Sequence, residues 1–328
     1  MNRKRKKLIA ANEISEMRTY LLDGIPQKVL IEGKKKTNPL VLFLHGGPGS
    51  PLPFCAGGRG MFPELTNRVT MVYWDQLGCG INDHLIDNSF TINRFVVMTI
   101  DLIKQLKAEF QECGIHLFGV SWGSILAAKA AHIAPELLDR VAIYGQVLHP
   151  FLADDEVFLA LEQSKMPDRH RDQLTMLKEQ KEYSVNDLIV VLKWIRKYTE
   201  GYQSKQGGSM ALGGIIWGYL TSPDYSLKNF KALVINGYRH NQSLFKELLH
   251  IELAEMLKEV QIPYLILQGD SDIVTSTKAV AAFVENAGNE NLQYQLIERS
   301  GHMASANAMN VIIESAFGFF EQAKKIAA

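Results

Sequence analysis

The stretch from His116 to His132, HLFGVSWGSILAAKAAH, carries the strongest signal for the fold. An apolar run stops at Gly119-Val120-Ser121-Trp122-Gly123, and a run of small residues with helical character follows at once. A strand that leads through a sharp turn directly into a helix is typical of layered α/β proteins. The stretch therefore predicts a strand, a tight turn at Ser121 and a helix that begins near Trp122.

Ser121 stands at that turn with a glycine two residues away on either side. A very sharp turn lifts a serine hydroxyl clear of the sheet edge, at the cost of a strained backbone. Neighbouring segments then crowd the turn, and Gly119 and Gly123 have no Cβ that would clash. The positive end of the following helix points toward an oxyanion formed at the serine. The pattern predicts a nucleophilic serine; the alternative is a tight turn with a capping serine.

Outward from this stretch, short apolar runs alternate with helical patterns. This alternation is typical of βαβ units and of a mainly parallel sheet that helices cover on both faces. Asp23-Gly24, between the first two runs, predicts a hairpin. The predicted strands are Met17–Leu22, Lys28–Glu32, Leu40–Leu44, Val69–Trp74, Ile115–Phe118, Val141–Tyr144, Tyr264–Gln268 and Gln293–Ile297.

The alternation breaks near residue 148 and resumes at Ile262. Between these points, segments such as NDLIVVLKWIRKY (186–198) have apolar residues at helical spacing. The sequence therefore predicts an α/β core of residues 1–147 and 262–328, interrupted by a helical cap of residues 148–261. We expect the cap to cover the site as a lid and to select small substrates.

A second glycine cluster, His45-Gly46-Gly47-Pro48-Gly49, follows the predicted strand Leu40–Leu44. Acyl transfer needs a second backbone N–H directed at the oxyanion. Gly47 is the candidate donor because Pro48 has no N–H. The alternative is an ordinary glycine-rich turn.

A serine hydroxyl needs a base that takes its proton and an acid that orients that base. Two late strands end with Gly269-Asp270-Ser271-Asp272 and with Gly301-His302, which gives the chain order Ser, Asp, His. Both groups follow the carboxyl ends of strands, where open α/β sheets build their sites. His302 is therefore the candidate base. Asp272 is the preferred acid over Asp270, which would instead bind nearby backbone N–H groups.

The composition is that of an ordinary globular protein, with 47% hydrophobic and 21% charged residues among 328. Lys and Arg (35) balance Asp and Glu (35), which argues against a general nucleic-acid binder. No stretch of 18 apolar residues predicts a membrane span. The basic run Arg3–Lys7 is expected to be a solvated, frayed end. Three widely spaced cysteines predict reduced thiols in the cytoplasm, without metal-ligand spacing.

Several motifs together resemble the proline iminopeptidase branch of the α/β-hydrolase fold superfamily. The resemblance implies an α/β-hydrolase fold with a mostly parallel eight-stranded sheet, helices on both faces and a helical cap. It implies Ser121 as nucleophile, Asp272 as orienting acid and His302 as base, with an oxyanion hole formed by the N–H groups of Gly47 and Trp122. The matching pieces are HGGPG (45–49), WDQLGCG (74–80), GVSWGS (119–124), GDSD (269–272) and SGH (300–302).

The cap departs from that family in one respect. The family holds the free amino group of its substrate with cap carboxylates near a Glu-Asn-His-Tyr-Phe run, whereas VINGYRHNQSLF (234–245) carries no acid. Other acids of the cap could take that role. Gly46 and Trp217 are the candidate substrate-binding residues, and Trp194 and Tyr219 are further candidate pocket aromatics. The candidate cap acids are Asp154, Asp155, Glu156 and Asp224.

These residues predict a serine hydrolase that cleaves a small ester, an amide or an N-terminal peptide bond through an acyl-enzyme, without a metal or organic cofactor. The expected partner is a small molecule or short peptide, and no pattern predicts an oligomeric state. Two alternatives stay open: a carboxylesterase without aminopeptidase activity, and a ligand-binding protein on a hydrolase scaffold.

Overall fold

The structure, a computed structural model, describes residues 3–208 and 212–322. Its strands are β1 Ile14–Leu22, β2 Ile25–Gly33, β3 Leu40–Leu44, β4 Thr70–Tyr73, β5 Ile115–Val120, β6 Arg140–Tyr144, β7 Tyr264–Gly269 and β8 Leu292–Ile297. They form one sheet in the order β1-β2-β4-β3-β5-β6-β7-β8. β2 pairs antiparallel with β1 and β4, and all other pairs are parallel. The predicted eight-stranded, mostly parallel sheet is confirmed.

The hairpin of β1 and β2 turns at Asp23 and Gly24, as the sequence predicts. Both residues have positive φ, 47° and 74°, which is the backbone of the two-residue turns that match strand twist. The turn pairs Leu22 with Ile25 and so fixes the register along the whole hairpin.

Helices lie in most of the connections between the strands, and also before β1 and after β8. In the described residues they are α1 Arg3–Ala10, α2 Pro63–Thr66, α3 Ile92–Glu109, α4 Trp122–Ile133, α5 Asp155–Glu162, α6 Asp168–Lys178, α7 Val185–Tyr198, α8 Leu212–Leu220, α9 Leu227–Lys231, α10 Gln242–Leu248, α11 Ala254–Lys258, α12 Thr277–Asn286 and α13 Ala306–Glu321.

The sheet separates two apolar cores, one on each face. Alternate residues of β3 show the division: Leu42 packs in one core and Phe43 in the other. α3 and α4 contribute to the first core, and α13 contributes to the second. Burial on both faces explains why the central strands are apolar at most positions rather than at every second one.

The chain between β6 and β7 contains α5 to α11, which agrees with the helical content predicted for this segment. α5, α6 and α7 enclose an apolar cluster of their own, which includes Phe158, Leu174 and Trp194. α10 and α11 instead pack Leu244 and Leu257 into the core of the sheet. The division of the chain into core and cap domains stays a prediction.

The basic run at the start of the chain is not a frayed end within the described residues. It forms α1, and Arg5 is only 6% exposed. The Arg5 guanidinium donates hydrogen bonds to the carbonyls of Gly57 (2.8 Å) and Gly218 (2.6 Å), far away in sequence. Arg3, Lys4, Lys6 and Lys7 are exposed, as expected for solvated side chains. The expected fraying is wrong, because carbonyls of two distant segments bind Arg5 and compensate its desolvation.

Candidate active site

Ser121 lies at the sharp turn between β5 and α4, in a backbone conformation that few residues adopt. Its φ of 52° and ψ of −115° are outside the ordinary regions for a residue with a side chain. The turn is fixed by two hydrogen bonds: Ser121 N–H donates to the carbonyl of Tyr144 (3.0 Å), and Ser124 N–H donates to that of Ser121 (2.7 Å). Strain of this kind costs about 1–3 kcal/mol and concentrates at functional sites.

The two glycines beside Ser121 lie where a larger residue would collide with backbone. A Cβ on Gly123 would lie 1.9 Å from the carbonyl oxygen of Leu44, at the end of β3. A Cβ on Gly119 would lie 2.9 Å from the carbonyl oxygen of Gly123. The Gly-x-Ser-x-Gly spacing therefore allows β3 and α4 to pack tightly around the turn.

Ser121, His302 and Asp272 form a continuous hydrogen-bonded relay. Ser121 Oγ lies 2.9 Å from His302 Nε2, and His302 Nδ1 lies 2.9 Å from Asp272 Oδ2. Asp272 and His302 come from the loops after β7 and β8, and Ser121 comes from the end of β5. The relay can move the serine proton to the imidazole while the carboxylate fixes the ring.

The Asp272 carboxylate is buried and bound on both oxygens. Oδ1 accepts the backbone N–H groups of Val274 (2.8 Å) and Thr275 (3.0 Å). Oδ2 accepts the Thr275 hydroxyl (2.7 Å) and the Gln268 amide (3.1 Å) besides facing His302. These donors compensate a buried negative charge and fix its position relative to the imidazole.

Asp270, the competing acid, has a different set of partners. Its carboxylate accepts the backbone N–H groups of Arg299 (2.7 Å) and Ser300 (3.0 Å), and the residue is exposed. It therefore orders the loop that leads to His302 without reaching the imidazole.

The glycine loop after β3 lies against the serine turn. A Cβ on Gly46 would lie 3.6 Å from Ser121 Cβ and 3.3 Å from the Val120 carbonyl oxygen. Gly47 has φ of 124°, and Ser50 N–H closes the loop on the Gly46 carbonyl (3.1 Å). The role of the N–H groups of Gly47 and Trp122 as oxyanion donors stays a prediction.

Comparison with known proteins extends this geometry to a family. Residues 39–307 match the model of a family described as alpha/beta hydrolase fold. The chain belongs to the alpha/beta hydrolase fold family. The matched residues include β3 and β5, which lead into the glycine loop and the serine turn. They also include the loops that carry Asp272 and His302.

The curated relatives of this alpha/beta hydrolase include named peptidases. A probable aminopeptidase, YbaC of Bacillus subtilis (strain 168), is 26% identical over 88% of this chain and 91% of its own length. A proline iminopeptidase of Lactobacillus crispatus (strain ST1) is 24% identical over 87% of this chain and 90% of its own. The resemblance drawn from the motifs is confirmed, and a hydrolase activity is supported.

Solved structures agree on the fold of the hydrolase. VinJ superimposes with a TM-score of 0.65 at 18% identity, over 94% of this chain and 99% of its own. The proline iminopeptidase of Mycobacterium smegmatis gives a TM-score of 0.64 at 19% identity, over 95% of this chain and 100% of its own. At these identities the likeness shows the shared fold.

A cavity of about 440 Å³ opens in front of the Ser121 hydroxyl of the hydrolase. Ser121, His302 and the glycines Gly46 and Gly47 lie on one side, and cap residues lie on the other. A volume in the range of small-molecule sites fits a substrate of modest size. The remaining lining residues are Pro48, Ser50, Leu52, Val120, Phe151, Leu188, Ile189, Leu192, Lys193, Arg196, Tyr202, Phe245, Leu248, Val274 and Met303.

Trp217 does not reach this cavity, which corrects its prediction as a substrate-binding residue. Its side chain is 66% exposed, whereas Tyr219 of the same helix is 1% exposed. Two residues rotate a helix by about 200°, so burial of Tyr219 turns Trp217 outward. Trp194 packs inside the apolar cluster of the cap instead of lining the cavity.

None of the candidate cap acids lines the cavity of the hydrolase. Asp224 pairs with Arg59 (2.8 Å), and Glu156 pairs with Lys278 (2.8 Å). Asp154 lies beside a separate cavity that does not include Ser121, and Asp155 begins helix α5. These four carboxylates therefore lie outside the cavity, and none of them is placed to bind an amino group inside it.

The Asp75-Gln76 turn supports the site through hydrogen bonds to Trp122 and His45. The Trp122 indole N–H donates to Gln76 Oε1 (2.8 Å), and Gln76 N–H donates to His45 Nε2 (3.0 Å). The Asp75 carboxylate accepts N–H groups of Ala56 and Ile81 and the hydroxyl of Tyr225. Burial raises the pKa of Asp75. The turn therefore joins the serine turn to the glycine loop.

His45 makes folding sensitive to acid. Complete burial lowers the pKa of His45 from 6.5 to about 4, because the folded protein excludes the charged imidazole. Below pH 6.5 the His45 imidazole therefore binds a proton in the unfolded chain but not in the folded chain. The free energy of unfolding should fall by about 3 kcal/mol between pH 6.5 and 4 through this residue alone.

Chemical denaturation of the wild type and of His45→Gln across this pH range measures the effect. The glutamine carbonyl can reach the position of His45 Nε2, accept the same N–H from Gln76 and take up no proton. We expect the wild type to lose stability more steeply than the variant on acidification. Parallel curves would show that His45 does not carry the pH dependence.

The described residues contain neither a cluster of metal ligands nor a helix that could span a membrane. In residues 3–208 and 212–322, no three His, Cys, Asp or Glu side chains are grouped so as to hold a metal ion. No helix in the same ranges combines the length and apolar character of a membrane span.

Proposed function

We propose that this protein is a serine hydrolase that cleaves a small ester, an amide or a short N-terminal peptide bond through an acyl-enzyme. The observation that carries the proposal is the relay of Ser121, His302 and Asp272, with 2.9 Å at each step, facing a cavity. A mere capping serine needs neither a histidine nor a buried carboxylate behind it.

In the proposed reaction Ser121 Oγ attacks the substrate carbonyl while His302 Nε2 accepts the hydroxyl proton. Asp272 holds the ring and stabilises its charged form. The N–H groups of Gly47 and Trp122 bind the oxyanion, each worth about 3–4 kcal/mol in comparable sites. His302 then gives its proton to the leaving group. Water, activated by the same imidazole, releases the acid.

Within this function the cavity favours ester or amide cleavage without recognition of a free amino group. No Asp or Glu lines the cavity among the described residues, so nothing acidic is placed to pair with an ammonium group. The names of the curated relatives favour the peptidase instead. Both chemistries use the same relay and differ only in what the cap recognises.

A matched set of substrates separates the two. The purified protein is assayed with 4-nitrophenyl butyrate and with the 4-nitroanilides of proline and of cyclopentanecarboxylic acid, which share the leaving group and a five-membered ring and differ in the amine. We expect turnover of the ester, and kcat/KM at least about tenfold lower for the prolyl anilide than for the cyclopentanecarbonyl anilide, since the ammonium group finds no acid. Efficient turnover of the prolyl anilide would favour the iminopeptidase function.

The remaining alternative, a ligand-binding protein on this scaffold, is tested by a fluorophosphonate probe. The proposal expects covalent labelling of the wild type and none of Ser121→Ala. A folded wild-type protein that hydrolyses no substrate and stays unlabelled would favour the binding protein.

A further inference from the structure

One face of helix α7 lines the cavity, and two cationic side chains lie toward the carboxyl end of that face. Leu188, Ile189, Leu192, Lys193 and Arg196 all line the cavity. Their spacing of one, three and four residues places them on one side of the helix. The first three give an apolar surface, and the last two add positive charge near the carboxyl end of the helix.

Neither cation is neutralised by an acidic side chain of residues 3–208 or 212–322. In the part of the chain that the structure describes, Lys193 and Arg196 form no salt bridge. The acids nearest in sequence are engaged elsewhere: Asp187 caps the start of α7, and Glu200 lies 4.0 Å from Lys205. The cavity therefore carries positive charge with no acidic side chain in its lining.

Tyr202 connects this charge to the proposed reaction centre. The Arg196 guanidinium carbon lies 5.5 Å from the centre of the Tyr202 ring. That ring centre lies 6.1 Å from the centre of the His302 ring. A substrate that reaches Ser121 can thus extend along a single aromatic side chain to the guanidinium.

A second, apolar cavity of about 200 Å³ adjoins the other side of His302. It shares Leu52, Val120, His302 and Met303 with the first cavity and is otherwise lined by hydrophobic and aromatic groups. The two cavities together give the site one apolar and one positively charged compartment.

We infer that the natural substrate carries a carboxylate, which Lys193 and Arg196 bind, together with an apolar group on the other side of the scissile bond. This inference rests on the proposed hydrolase function and names its substrate class. A guanidinium pairs with a carboxylate through two parallel hydrogen bonds, and two cations outweigh the single charge. The carboxylate of an N-acylated amino acid belongs to this class, as does a half-ester of a dicarboxylic acid.

The carboxylate lies away from the reacting carbonyl, so its binding affects the ground state and the transition state alike. Such uniform binding lowers KM and leaves kcat nearly unchanged. Each exposed ion pair strengthens binding by a factor of about 1.4 to 5. Lys193 and Arg196 together should therefore lower KM about tenfold.

Two pairs of esters that differ by one charge test the inference. In one pair the charge is on the acyl group: 4-nitrophenyl hemiadipate against 4-nitrophenyl methyl adipate. In the other it is on the leaving group: 4-butyryloxybenzoate against its methyl ester. We expect about tenfold higher kcat/KM for the charged member of at least one pair, through KM. The preference should shrink as salt is raised to 1 M.

The double variant Lys193→Met and Arg196→Met should remove this preference, mainly by raising KM for the charged ester. Lys197→Met is the matched control, because Lys197 lies in the same turn of α7 and is exposed but does not line the cavity. It should keep the preference of the wild type.

Equal kcat/KM within both pairs would overturn the inference, as would a preference that the double variant retains. Either result would leave the hydrolase function standing if the neutral esters are turned over and Ser121→Ala abolishes that turnover. Loss of all turnover together with absence of fluorophosphonate labelling would instead contradict the proposed function itself.

Discussion

Replacing Ser121 with alanine is expected to lower kcat for 4-nitrophenyl butyrate by roughly six orders of magnitude, as in other serine hydrolases that lose their nucleophile. Without the hydroxyl no acyl-enzyme forms, and only the oxyanion donors and substrate binding remain. The fold should persist, because Ser121 Oγ bonds only His302 among the described residues and alanine bears a similar backbone strain. Steady-state kinetics and the melting temperature are measured together.

Ser271→Ala is the matched control for that variant. Ser271 lies beside Asp272, and its hydroxyl donates to the Ser300 carbonyl (3.1 Å) rather than to the relay. We expect kcat within a few-fold of the wild type. If Ser121→Ala kept substantial activity while the control behaved as expected, another group would have to be the nucleophile.

Asp272→Asn is expected to lower kcat by about 10⁴. Two backbone N–H groups donate to Asp272 Oδ1, so an asparagine must place its oxygen there and its amide NH₂ toward His302. That NH₂ would donate to Nδ1 and move the ring hydrogen to Nε2. An imidazole in this form cannot accept the proton of Ser121. The new NH₂ also leaves the Gln268 amide, which donates to Asp272 Oδ2 in the wild type, without that acceptor.

Asp270→Asn distinguishes this effect from a general disturbance of the loops. Asp270 binds only backbone N–H groups in the described structure, so its replacement should cost some stability and change kcat only a few-fold. Similar losses of kcat in the two variants, measured on proteins with intact folds, would argue against Asp272 as the orienting acid.

The sheet and the relay could be predicted because their signals are local. The turn at Asp23-Gly24 fixes a hairpin, and strands buried on both faces are apolar at most positions. Leu44 lies so close to position 123 that only a residue without a Cβ fits there, and this glycine is visible in the sequence. Asp272 and His302 were found because the carboxyl ends of parallel strands meet at one edge of the sheet.

The positions of the cap side chains were less predictable, because they depend on the rotation of each helix and on how the helices pack. Trp217 stands in a glycine-rich stretch whose helical phase the sequence does not reveal, and the structure turns it outward. Lys193 and Arg196 belong to an amphipathic pattern in which cations usually face solvent. Only the position of α7 above Ser121 brings them to the cavity. The burial of Arg5 likewise depends on carbonyls distant in sequence.

The most direct measurement is the mass of the protein during turnover of 4-nitrophenyl butyrate, after quenching in acid and peptide mapping. The proposed mechanism predicts a butyryl group on the peptide that contains Ser121, on Ser121 itself, and no such adduct in Ser121→Ala. A butyryl group on another residue, or undiminished turnover by Ser121→Ala without any adduct, would contradict it.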